Sequence, residues 1–122
     1  MKKIAILLII FIAITACNTK PLNPDRFKHG NFEIPEGKGF STTHITRTDS
    51  LQIEKYDDRI DTLTINWENN FNYNLKMVHP KNAIDEETIH VKITNLHKES
   101  YDFEAVIGHS NYIQKGTIFL KK

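Results

Sequence analysis

Two stretches, Thr62-Leu63-Thr64-Ile65-Asn66-Trp67-Glu68 and Phe71-Asn72-Tyr73-Asn74-Leu75-Lys76-Met77, decide the fold class. In the first, Leu63, Ile65 and Trp67 occupy every second position and Thr, Thr, Asn and Glu fill the others. In the second, Phe71, Tyr73, Leu75 and Met77 alternate with Asn, Asn and Lys. A period of two places apolar side chains on one face of a strand and polar ones on the other. Such strands pair antiparallel over a core, with one face in water.

The same alternation recurs in Ile89-His90-Val91-Lys92-Ile93 and Tyr101-Asp102-Phe103-Glu104-Ala105. Weaker strands are expected over 30–34, 40–47, 51–56 and 112–120. Between them lie turn-forming sequences, among them Glu36-Gly37-Lys38-Gly39, Thr48-Asp49-Ser50, Asp57-Asp58-Arg59 and Glu68-Asn69-Asn70. The longer connection, His79 to Glu87, has room for a helical turn around 82–86. Short connections favour neighbouring strands, so the expectation is an all-β antiparallel meander of seven to eight strands. It closes as an up-and-down barrel, lipocalin-like, or flattens into a sandwich; closure removes exposed edges. Lys76, Lys92, Asp102 and Glu104 on the polar faces, and strands shorter than the roughly 9–11 residues needed to span, argue against a membrane barrel.

The chain has 122 residues, 16 Lys+Arg against 15 Asp+Glu, and one cysteine. That length suits a single domain with a small core. A formal charge of +1 supplies no basic field for nucleic acid, so no nucleic-acid partner is expected. One cysteine makes neither an internal disulfide nor a cysteine-based zinc site.

At the N-terminus, Met1-Lys2-Lys3 precedes an uninterrupted apolar run from Ile4 to Ile14. Eleven residues are too few to cross a hydrocarbon core, which takes about 20. A basic start, a short apolar segment and small residues at its end form the pattern of a cleaved helical signal peptide. Ile14-Thr15-Ala16-Cys17 resembles a bacterial lipobox. The resemblance implies that Cys17 receives a diacylglyceryl group and that cleavage falls between Ala16 and Cys17, followed by N-acylation. Two or more acyl chains hold stably at about 0.8 kcal/mol per buried CH₂. The expected organisation is a signal peptide over 1–16, a lipidated polar tether over 17–26 containing Pro21 and Pro24, and one β domain over 27–122. Removing residues 1–16 takes Lys2 and Lys3 with it and leaves 106 residues at a formal charge of −1. No aspartate follows Cys17, and by the best-known sorting rule this implies an outer-membrane anchor facing the periplasm.

Asn23-Pro24 with Phe27, then Thr46-Arg47-Thr48-Asp49-Ser50-Leu51, Ile60-Asp61-Thr62, Pro80-Lys81-Asn82 and Lys115-Gly116-Thr117 are similar to a family of small envelope lipoproteins of unknown function. Some relatives carry the label DNA topoisomerase IV, which these residues do not support. No tyrosine here follows an arginine, and the expected export removes the chain from DNA.

Six histidines (29, 44, 79, 90, 97 and 109) form no HxH, HxxxH or HExxH pattern, so no metal site is expected. Asp57-Asp58, with Asp61 close by, lacks the glycine and downstream glutamate of a calcium loop and reads as a solvated hairpin tip. GxSxG and phosphate-cradling glycine motifs are absent. The chain is therefore expected to be no enzyme, with no catalytic residues and no cofactor beyond the lipid on Cys17. Its expected role is a binding or structural module of the envelope, with another envelope protein as partner. The alternative is a lipocalin-like carrier of a small apolar ligand, with Trp67, Tyr73 and Phe103 lining the cavity. Gly30-Asn31-Phe32 is similar to the Gly-x-Trp start of lipocalins, with Phe in the Trp position.

Overall fold

The computed structural model describes residues 23–121. A short 3₁₀ turn, Pro24–Phe27, leads into eight strands: β1 (Gly30–Ile34), β2 (Thr43–Arg47), β3 (Leu51–Tyr56), β4 (Arg59–Asn69), β5 (Asn72–Met77), β6 (Ile89–Leu96), β7 (Ser100–Ile107) and β8 (Gln114–Lys121). Each pairs antiparallel with the next, and β8 pairs back onto β1 through Asn31–Lys121, Phe32–Leu120 and Glu33–Phe119. The sheet is a closed up-and-down barrel, which settles the choice between barrel and sandwich. No edge strand is left open.

Alternation drives this closure. Leu63 and Ile65 of β4, Tyr73 and Leu75 of β5, Val91 and Ile93 of β6, Tyr101 and Phe103 of β7 and Ile118 of β8 turn inward to form one core. Between them stand outward His90, Lys92, Glu104 and Lys115. These outward positions are polar. The residue between Trp67 and Asn69 and that between Ile93 and Asn95 are bulged. Both bulges sit next to tight turns, where they add twist.

The two poles differ. At one, the connections are short, spanning 48–50, 70–71 and 97–99, and the Pro24–Phe27 turn lies across the interior. At the other, the connections over 35–42, 78–88 and 108–113 are longer, and only Asp57-Asp58 is tight. Asp57 takes a left-handed φ of 51° there, a conformation Asp tolerates better than most residues. The 78–88 connection carries two successive turns, closed by Glu86 N–H to Ala83 O and Glu87 N–H to Ile84 O.

Three expectations need correction. Residues 24–26 belong to the barrel's cap and not to the tether, because the Asn23 side chain caps the 3₁₀ turn and Phe27 at its end is fully buried. Phe71 is 44% exposed; it occupies the turn before β5, just after the bulge, and lies beyond the core. The segments 40–42 and 112–113 lie in loops, with Tyr112 75% exposed at the open pole.

Candidate functional site

The closed pole is organised around Arg47, the last residue of β2, which is 2% exposed. Its Nε donates to Gln52 Oε1 at 2.9 Å, Nη1 to the Phe27 carbonyl at 2.8 Å and to Tyr101 Oη at 3.1 Å, and Nη2 to Tyr73 Oη at 3.4 Å. The two phenols hydrogen-bond to each other at 2.7 Å. The guanidinium also lies 4.8 Å from the Phe32 ring centroid and 5.0 Å from that of Tyr73, within cation–π range. Arginine's planar fork suits this arrangement, since it reaches several acceptors while its face stacks on rings. Burial is the main cause that holds the Tyr73 phenol well above its usual range, so it stays a neutral donor and acceptor.

At the other pole an open cavity of about 750 Å³ runs from the loops at the mouth down into the barrel. This lies within the span typical of small-molecule sites, about 300–1,000 Å³. Its apolar wall comes from β5 to β8: Leu75, Met77, Ile89, Val91, Phe103 and Ile118. Its polar wall comes from β3 and β4: Gln52, Glu54, Tyr56 and Asp61. Around the mouth stand Lys38, Phe40 and Ser41 of the first loop and Tyr112 of the last. Phe103 keeps its place over β8 because its register partner is Gly116, where a Cβ would lie 2.9 Å from the ring.

The polar wall follows from an inverted strand. In β3 the residues in phase with the interior are Gln52, Glu54 and Tyr56, whereas Leu51 is exposed and Ile53 and Lys55 point outward. Gln52 is itself buried and links the poles: it accepts from Arg47 Nε and donates through Nε2 to Glu54 Oε1 at 2.9 Å. Glu54 and Asp61 are direct register partners across β3 and β4. Tyr56 Oη donates to Asp61 Oδ2 at 2.6 Å, and Arg59 Nη2 approaches Asp61 Oδ1 at 3.5 Å. Burial raises the pKa of Glu54; the Gln52 hydrogen bond opposes this and the Asp61 charge adds to it. Burial, then the bond to Asp61, pushes Tyr56 up to about 12.

Of the three aromatics expected at a cavity, Tyr73 and Phe103 border it, and the Tyr73 hydroxyl belongs to the Arg47 cluster. Trp67 does not line it. Its ring packs at the closed pole, 4.6 Å from Tyr73 and beneath Lys28, because β4 runs toward that pole and Trp67 lies near its end. Phe32 is buried at the same pole against Arg47. Ala16 and Cys17 lie outside the described residues.

Asp57-Asp58 sits at the hairpin tip, but Asp61 turns into the barrel and is nearly buried, which corrects its reading as part of a solvated tip. The signal was present: Asp61 shares the phase of Leu63, Ile65 and Trp67. Glu54 and Gln52 were missed because their strand alternates in the opposite sense to the rest. His29 pairs with Asp49, His97 with Asp102 at 3.0 Å, and His90 with the Asn74 side chain at 2.7 Å, all on the exterior. Among the described residues, no three His, Cys, Asp or Glu side chains gather as a metal site. A separate shallow groove of about 440 Å³ runs over the outer wall beside Gly116 and Thr117.

The site thus comprises a sealed cationic knot at one pole and a two-faced cavity at the other. In comparisons with protein families, curated proteins and solved structures, nothing matches this chain.

Proposed function

We propose that this protein is an envelope lipoprotein whose barrel carries a small, largely apolar molecule. The observation that supports the carrier reading is the cavity itself: about 750 Å³, counting the space between the mouth loops, reaching into a barrel whose opposite pole is sealed. Exposed apolar residues at the open pole, Phe40, Ile84, Tyr112 and Ile113, suit a portal for an apolar guest. The envelope placement rests on the lipobox-like Ile14-Thr15-Ala16-Cys17. Radiolabelled palmitate is expected to label the wild-type chain in bacterial cells and not Cys17→Ala; equal labelling overturns the anchor.

The barrel closes within residues 23–121, so a chain of residues 18–122 keeps every strand and is suited to ligand tests. N-phenyl-1-naphthylamine, a neutral apolar fluorophore, is expected to bind it saturably at one per chain. Ala105→Trp, which fills the cavity from β7, is expected to weaken binding at least tenfold with an unchanged far-UV circular dichroism spectrum. A wild-type chain that gives no saturable signal overturns the carrier reading.

A further inference from the structure

We propose that the cavity selects amphiphiles bearing a protonated amine, with Glu54 as the counter-ion of the ammonium and Asp61 as a second acceptor beside it. This rests on the carrier reading and names the chemistry of its guest. The first observation is placement. Glu54 and Asp61 are direct cross-strand partners on the inner face of β3 and β4, and both border the cavity. Like charges directly opposite each other are unfavourable in a sheet, and a carboxylate out of water needs a partner.

The second is what the protein itself supplies to each. Asp61 has Tyr56 and the half-exposed Arg59, which reaches it from the rim. Glu54 receives one hydrogen bond among the described residues, from the neutral amide of Gln52. The nearest interior cation, Arg47, acts on Glu54 through its charge, but its donors are directed at Gln52, Phe27, Tyr101 and Tyr73 and it does not line the cavity. Lys115 borders the cavity, yet its ammonium lies 3.8 Å from Glu104 Oε1. Lys38 is exposed on the first loop at the mouth, outside β3 and β4. The cavity therefore offers carboxylate oxygens on one wall and hydrocarbon on the other. A primary ammonium supplies three donors and one charge to the first wall, while an alkyl chain covers Leu75, Met77 and Val91 on the second.

Decylamine, decanol and decanoate carry the same chain length with different heads, and their competition with N-phenyl-1-naphthylamine on residues 18–122 at pH 7 tests the inference. Decylamine is expected to bind at least tenfold tighter than either of the others. Glu54→Gln, which keeps the Gln52 contact, is expected to reduce that preference to twofold or less while decanol affinity changes less than twofold. Asp61→Asn serves as a second variant and is expected to reduce the preference by a smaller factor. Decanol or decanoate binding as tightly as decylamine overturns the inference, as does an undiminished preference in Glu54→Gln; either result leaves the carrier reading standing. Absence of probe binding to the wild type overturns the carrier reading first, and this inference with it.

Discussion

Arg47 carries more of the closed pole than any other single side chain. Its removal leaves two phenols, the Gln52 amide and the Phe27 carbonyl without their donor, and opens a void between Phe32 and Tyr73. Each buried acceptor left unsatisfied costs about 1–3 kcal/mol, and the void adds to that loss. Arg47→Ala is expected to lower the urea midpoint accordingly, with Arg47→Lys intermediate because an ammonium cannot reproduce the fork. Glu54 behaves in the opposite manner. Its pKa is raised in the folded barrel, so as pH climbs past the ordinary glutamate range the unfolded chain ionises first and the empty barrel loses stability, until Glu54 ionises in the fold as well. Glu54→Gln removes that loss. The variant is expected to melt higher than wild type at neutral pH, with the difference closing below the ordinary glutamate range. A thermal melt series from pH 3.5 to 8 checks this, and a variant less stable than wild type at pH 7 contradicts it.

Among the elements, β4 to β7 were legible because their apolar and polar residues alternate without interruption, and the turns between β4 and β5 and between β6 and β7 fall where the pattern stops. The antiparallel meander followed from short connections and a period of two, whereas closure rests on the pairing of β8 with β1. The polar wall was not legible as a site, because β3 places Gln52 and Glu54 inward only through its pairing with β2 and β4. The apolar Leu51 and Ile53 of that strand lie out of phase with its inward residues. The 3₁₀ turn was hidden for a related reason: its composition is that of a tether, and one aromatic, Phe27, ties it in through a T-shaped contact with Tyr101 at 5.1 Å. Gly116 sets the pose of Phe103 from the neighbouring strand. Gly116→Ala brings a methyl group to about 2.9 Å from that ring, and overpacking of this kind costs on the order of 1 kcal/mol. The ring is expected to move into the cavity, so probe affinity should fall more than stability does. Equal affinity in Gly116→Ala and wild type shows that Phe103 does not limit the cavity.

Across the whole molecule, packing density is polarised. Phe27, Phe32, Tyr73 and Tyr101 fill the closed pole, and the cavity leaves the open one under-packed. Local opening is easiest where buried contacts are few. Hydrogen exchange is expected to be slowest at Ile45, Tyr101 and Ile93 and faster at backbone amides of β3 and β8 near the mouth, such as Tyr56 and Lys115. A bound guest should slow the second group selectively. Uniform slowing along every strand would place the guest elsewhere.

An even number of strands returns the chain to the pole where it started: β1 begins beside the end of β8, with Asn31 opposite Lys121. The segment leading to Pro24 therefore arrives at the sealed pole. A lipid on Cys17, as proposed above, would moor that pole to its bilayer through about six residues, a reach of about 20 Å. The berth has a direction. On that proposal the mouth would point away from the anchoring membrane, toward the aqueous space or a facing protein, and cargo would be collected from across the gap and not drawn up from the leaflet beneath.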